Sequence, residues 1–300
     1  MASTSHIERT ADEPRHSELH EGVIVSIQNV NERIRLFRLE LPSGPVKRTL
    51  PIGIPLASQF SPGQWLDTYV PSVSKPGGFT ITSAPSAAAF ESHPYVEIAV
   101  ARAPENAVAA WLWRPTDHVL GSVVRLRIGG SFVFPPLDPR LGNVGSLVFV
   151  AGGVGINPLV SMLRFVAELE SALDIDVCVL YASKLPASGR LQDILFLSEI
   201  AALFGQRKLR GWLRLYATVA GNGPVVDAGS NHVGGVPVDV RSGRLTTDEA
   251  RRVVRELDPA KMLVYICGPP LMTDELVAAL TEGGQEGSLK PDRVLTEKWW

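Results

Sequence analysis

The sequence predicts two domains, an antiparallel β-barrel over residues 22–140 followed by an α/β domain with a parallel sheet over residues 141–300. Three observations predict it. From Gly22 to about Pro136, short stretches of alternating polarity recur between turn residues, with little helical periodicity. The Pro- and Gly-rich segment Pro135–Gly145 then interrupts the chain. After it, fully apolar runs alternate with helical ones, as when strands are buried on both faces of a sheet.

Each element follows in order. Residues 1–21 carry more acidic than basic side chains and no apolar core, which argues against a secretory signal or an Arg-rich transit peptide and predicts a disordered tail. Val23–Ile27 and Ile34–Leu41 alternate with period two and predict strands. Further strands are expected at Trp65–Val70, Gly78–Thr82, Tyr95–Ala101 and Val123–Ile128, with one helix near Ala107–Trp113. The turns Ser61-Pro62-Gly63, Pro76-Gly77-Gly78 and Gly129-Gly130 separate them.

In the second half, Leu147–Ala151, Asp176–Tyr181, Leu213–Val219 and Met262–Cys267 are expected strands. Helices are expected at Pro158–Leu173, Gln192–Leu203 and Leu271–Leu280, on both faces of the sheet. Thr246 and Glu249 form a capping box that opens a helix through Leu257. The Gly-rich stretch 222–243 fits no element.

Composition narrows the function. With 45% hydrophobic and 20% charged residues, the chain can bury a sizeable core. A formal net charge of −2 gives no electrostatic reason to bind nucleic acid or anionic lipid. Cys178 and Cys267 are too few for a disulfide framework, which fits a reducing, cytoplasmic setting, and the dispersed histidines show no metal-ligand spacing. Leu141–Leu163 is uncharged and long enough to span a bilayer, but its five glycines, two asparagines and Pro158 divide it into strand, loop and helix start, so no membrane span is expected.

Two motifs carry the chemistry. Gly152, Gly153, Val154, Gly155, Asn157 and Pro158 lie where a buried strand turns into a helix. Glycine there allows backbone to approach a pyrophosphate, and a helix N-terminus supplies free N–H groups. The same glycines would also serve an ordinary tight turn. A second strand–turn–helix follows at Cys267, Gly268, Pro269 and Met272. Two such turns at the carboxyl ends of parallel strands make a ligand crevice. Cys267 reads either as a residue at its mouth or as a small buried hydrophobe.

Gly-Gly-Val-Gly-Ile-Asn-Pro at 152–158 and Cys-Gly-Pro-Pro-Leu-Met at 267–272 resemble the nicotinamide-binding signatures of the ferredoxin–NADP+ reductase superfamily. The Pro-Gly-Gln-Trp turn at 62–65, the Gly-Gly-Phe strand at 77–79 and the terminal Glu-Lys-Trp-Trp resemble one subgroup of it. The resemblance implies a flavin-reductase-like barrel that binds FAD and an α/β domain that binds NAD or NADP. It implies hydride transfer between that nucleotide and the flavin, with Cys267 beside nicotinamide C4, Glu297 near the reacting atoms and Trp300 stacked on the flavin. Two terminal tryptophans can equally tie a chain end down.

The flavin motif of the superfamily, Arg-x-Tyr-Ser, corresponds to Gly77, Gly78, Phe79 and Thr80, followed by Ile81, Thr82 and Ser83. An aromatic face and a hydroxyl persist; the arginine does not. A later Gly-x-x-Ser, which cradles flavin phosphates, is replaced by residues 106–110. A backbone anion nest at Gly77-Gly78, or the cations Lys75 and Arg102, would have to compensate. The alternative is a barrel whose flavin site has decayed.

Members of the superfamily that use NADPH often carry Ser-Arg after the third strand of the α/β domain. Ala217–Gly221 stands there without an arginine, which tilts the expectation toward NAD(H). Lys184 reads either as a neighbour of the adenosine ribose or as a solvated loop residue. No ferredoxin or haem spacing is present, so electrons would leave to a separate, unidentified acceptor. The expected function is a flavin-dependent NAD(P)H oxidoreductase; the rival is an NAD(P)(H)-binding regulatory protein. A dehydrogenase acting directly on a small substrate lacks a placed general acid.

Overall fold

The computed structural model describes residues 5–42, 48–49, 55–56, 60–90, 92–169, 174–219, 229–282 and 288–298. The chain divides into two compact units, Met1–Phe134 and Pro135–Trp300.

The first unit holds α1 (His6–Arg9), β1 (His20–Asn31), β2 (Ile34–Glu40), β3 (Arg48–Thr49), β4 (Pro55–Leu56), β5 (Trp65–Tyr69), β6 (Gly77–Thr80), β7 (Tyr95–Ala101), α2 (Ala107–Leu112), α3 (Thr116–Val119) and β8 (Val123–Gly129). Its antiparallel sheet runs β6-β5-β8-β1-β2-β7. A bridge between Ile81 and Ile98 joins the two ends, so the sheet curls into a barrel. Alternation explains the core: Phe37 and Leu39 on β2 are buried with Ile24, Leu66, Ile98 and Leu126, whereas Arg38 faces out over the Tyr95 ring.

Residues 5–16 correct the expected tail, because they pack on the barrel. Gly130 N donates to Pro14 O at 2.9 Å, and His16 N to Ile128 O at 2.9 Å. His6 Nε2 lies 2.9 Å from Asp67 Oδ1, and Arg15 Nε donates to Asp67 Oδ2 at 3.1 Å. Arg127 adds bonds to the same oxygen at 2.9 and 2.7 Å. The segment is held by polar bonds, not by an apolar stripe, so hydrophobic periodicity carries no trace of it.

The second unit holds β9 (Ser146–Gly152), α4 (Ile156–Glu168), β10 (Asp176–Lys184), α5 (Leu197–Gly205), β11 (Arg210–Thr218), β12 (Gly229–Val233), β13 (Val236–Ser242), α6 (Thr247–Arg255), β14 (Met262–Gly268), α7 (Pro270–Thr281) and β15 (Val294–Lys298). The sheet runs β12-β13-β11-β10-β9-β14-β15. All its pairs are parallel except β12 with β13. Its central strands β9, β10 and β14 are apolar on both faces. Val148, Val150, Leu180, Val264 and Ile266 pack with Val253 and Val254 of α6 and Leu276 of α7. The alternate residues Leu147, Phe149, Val179, Tyr181 and Tyr265 are also buried, while α4 rests on β9 and β14 and α5 on β11 and β13.

The expected helix at 192–203 is instead a 3-10 turn, Leu191–Asp193, followed by α5. The unplaced stretch supplies the hairpin β12–β13, and β15 was not expected at all. Its Leu-Thr-Glu-Lys sequence is too polar to read as a buried strand. Thr246 caps α6 by accepting from Glu249 N at 3.3 Å. Thr246→Ala is expected to cost about 1 kcal/mol, measurable as a shift in denaturant midpoint with an unchanged slope.

Candidate functional site

β9 and β14 are neighbours, yet the chain leaves β9 toward β10 and returns to β14 only after β13. The strand order therefore reverses between them. Ligands of open α/β sheets bind outside the carboxyl ends of the strands at such a point. Both predicted turns sit there. β9 passes through the 3-10 turn Gly153–Gly155 into α4, and β14 passes through Pro269 into α7.

The turns pack backbone against backbone. A Cβ on Gly155 would lie 2.1 Å from the Cys267 carbonyl oxygen and 2.9 Å from Gly268 N, so no larger residue fits. A Cβ on Gly152 would meet Met272 Sδ and Pro269 Cδ, each at 2.8 Å. Gly153 has φ +56°, the left-handed region that glycine enters without strain. No side chain caps the start of α4 or of α7. Ile156 N–H is taken by Gly153 O and Val154 O, and Pro158 and Pro270 carry no N–H, so the two starts offer an anion chiefly the positive ends of their dipoles. Val154 is half-buried, whereas Asn157 and Pro158 are buried in the first turn of α4.

Cys267 is 2% exposed. Burial, then the Glu297 carboxylate, pushes its thiol well above the usual range, so it stays protonated. This favours the reading of a buried small hydrophobe over that of a residue open at the crevice mouth. Glu297 is half-buried on β15 and pairs in register with Cys267, a juxtaposition invisible until β15 is placed. Trp300 lies outside the described residues.

The barrel residues implied as a flavin site turn toward protein. A Cβ on Gly77 would lie 2.8 Å from Phe79 Cε2 and 2.9 Å from Val108 Cβ, so the space an arginine would need is filled. A Cβ on Gly78 would fall 2.1 Å from the His6 ring. Asn106 Oδ1 accepts from the N–H groups of Val108 and Ala109, both at 3.1 Å, and so caps the start of α2. Thr82 donates to Glu97 Oε1 at 3.1 Å, and Ser83 Oγ accepts from Glu97 N at 3.2 Å; both residues are buried. Phe79 packs on the barrel core, and Thr80 is half-buried.

The cations proposed to compensate are placed elsewhere. Lys75 is exposed and pairs with Glu8 at 3.9 Å, and Arg102 lies 5.8 Å from the Trp113 ring centroid. Arg15 and Arg127 instead gather on Asp67, the strand partner of Gly78. These residues and Asp67 were missed, since they are far apart in sequence and no motif links them. The residues at the expected flavin positions thus supply neither the arginine nor an uncapped helix start to the phosphates of FAD.

Among the described residues no group of three His, Cys, Asp or Glu side chains could hold a metal, and no helix is long and apolar enough to cross a membrane.

Comparison with known proteins adds the lineage. The family described as oxidoreductase NAD-binding domain matches residues 149–277. Oxidoreductase NAD-binding domain-containing protein 1 of Danio rerio is 31% identical over 99% of this chain and 98% of its own length. The protein of the same name from Bos taurus is 31% identical over 98% of this chain and 85% of its own length. A ferredoxin NADP+ reductase from Neisseria gonorrhoeae, solved with bound FAD and NADP, shares the fold with a TM-score of 0.64 at 16% identity, over 94% of this chain and 99% of that one.

Proposed function

Because the chain belongs to the family of oxidoreductase NAD-binding domain-containing protein 1, we propose that it binds NAD(P)(H) in its α/β unit and serves as an NAD(P)H-dependent oxidoreductase. The contact of Gly155 with the backbone of Cys267 and Gly268 carries this reading, since it draws two uncapped helix starts to one point of the sheet edge.

The residues have distinct tasks. Gly152, Gly153, Val154 and Gly155 present backbone to the pyrophosphate, with the start of α4 neutralising part of its charge. Asn157 and Pro158 fix the helix start from within. Gly268, Pro269 and Met272 shape the opposite wall. Cys267 keeps a protonated thiol under that wall, and Glu297 places a carboxylate at the same strand end. Trp300 is proposed as the aromatic group that covers the reacting ring.

A flavin, when bound, would accept the hydride and pass its electrons to a separate acceptor. Gly77, Gly78, Phe79, Thr80, Thr82 and Ser83 were the residues expected to hold it. Because Val108 fills the space of the missing arginine and Asn106 caps the start of α2, no step is assigned to resident FAD. The same observation favours a second reading, a nucleotide-binding regulatory protein with a degenerate flavin site.

Absorption spectra of the purified chain, before and after addition of FAD, separate the two. The second reading expects NADH or NADPH to bind while FAD is neither retained nor restored. Near-stoichiometric flavin bands that bleach with NADH or NADPH would establish the flavin-dependent reaction instead. Failure to bind either nucleotide would remove both.

A further inference from the structure

The sheet edge beyond β9 carries chemistry that distinguishes the two nicotinamide dinucleotides, and this inference rests on the nucleotide reading above. A dinucleotide bound where the strand order reverses lays one half toward β14 and the other toward β10 and β11. NADP(H) differs from NAD(H) by a phosphate on the adenosine 2′ oxygen. A free ribose diol is held by a carboxylate at this edge, a 2′-phosphate by a cation.

Register decides which residues share the edge. Lys184 ends β10 and pairs with Thr218, which ends β11. Ala217 pairs with Ser242, the last residue of β13. Gly243 N then donates to Ala217 O at 2.9 Å, which holds the chain leaving β13 against the end of β11. Arg244 follows directly. Lys184 and Arg244 are both exposed, and neither enters an ion pair among the described residues. Ser183, Thr218 and Ser242 add hydroxyls at the same strand ends.

No carboxylate ends any of these three strands. The first acid after β10 is Asp193, which accepts from Ser188 Oγ at 2.7 Å. The first after β13 is Asp248, which lies 3.6 Å from Arg251 Nη1. The edge therefore presents cations and hydroxyls where NAD selectivity needs an acid.

We propose that Lys184 and Arg244 form a subsite for the adenosine 2′-phosphate and make NADPH the preferred coenzyme. This reverses the expectation drawn from Ala217–Gly221. That window lacks an arginine, but the hairpin β12–β13 brings one to the end of β11 from more than a strand further along the chain.

Equilibrium titrations of the full chain with NADPH, NADH and 2′,5′-ADP test it. NADPH is expected to bind roughly tenfold or more tightly than NADH, with a preference that weakens as salt rises. Lys184→Glu and Arg244→Glu should each lower the NADPH-to-NADH affinity ratio about tenfold and weaken 2′,5′-ADP in parallel. Lys184→Gln and Arg244→Gln remove charge alone and should act in the same direction, with unchanged melting temperatures reporting intact folding. NADH binding as tightly as NADPH, or variants that weaken both nucleotides by one factor, would overturn the subsite. If the wild type binds neither nucleotide, the nucleotide reading itself fails and the subsite goes with it.

Discussion

Gly155→Ala is expected to lower NAD(P)H affinity by roughly a hundredfold and to destabilise the chain by about 2–4 kcal/mol. The added methyl group would overlap the Cys267 carbonyl, 2.1 Å from its calculated position. Backbone on a buried strand end cannot rotate away as a side chain can. The strain must then separate β9 and β14 or displace the start of α4, and either movement disturbs the turn proposed to receive the pyrophosphate. Nucleotide fluorescence titration beside a denaturant melt checks both effects. A stably folded variant that binds NADH and NADPH as the wild type does would show that the paired turns are not the nucleotide site.

The second large effect belongs to the barrel. Asp67→Ala is expected to destabilise it by about 3–5 kcal/mol, because removing one partner leaves partly buried Arg127 and Arg15 without their carboxylate. Burial alone would raise the Asp67 pKa; hydrogen bonds from His6 and Arg127, and the charge of Arg15, outweigh it and hold the carboxyl below its ordinary value. The sign follows from linkage. A carboxyl with a depressed folded-state pKa binds fewer protons in the native chain than in the unfolded one. Its contribution is present above the unfolded-state pKa and is lost as pH falls through the folded-state value. Urea melts from neutral pH into the acid range should therefore show a steeper loss of stability for wild type than for Asp67→Ala. A change of under about 1 kcal/mol at neutral pH would mean that the ion cluster behaves as an exposed one.

Much of the architecture was legible in the residues. Alternation at Ile34–Glu40 and Tyr95–Ala101, and apolar runs at Ser146–Gly152 and Met262–Gly268, declared strands because side-chain burial follows strand periodicity. Both glycine turns were visible because backbone constraints leave few acceptable residues at such positions. The elements that escaped are held differently. Residues 5–16 are fastened by ions and backbone bonds, β15 is polar, and the hairpin β12–β13 sits at an edge, where burial is incomplete.

The sequence by itself determined the two kinds of unit and the pair of strand–glycine–helix turns, since these depend on local periodicity and on the steric demands of single residues. Only the tertiary structure decided which distant groups meet. It set Gly155 on the Cys267–Gly268 backbone, buried Cys267 beside Glu297, filled the space at Gly77 with Val108, and brought Arg244 to the end of β11. Such meetings depend on sheet order and register, which arise from the packing of the whole unit and leave no signature in any one segment.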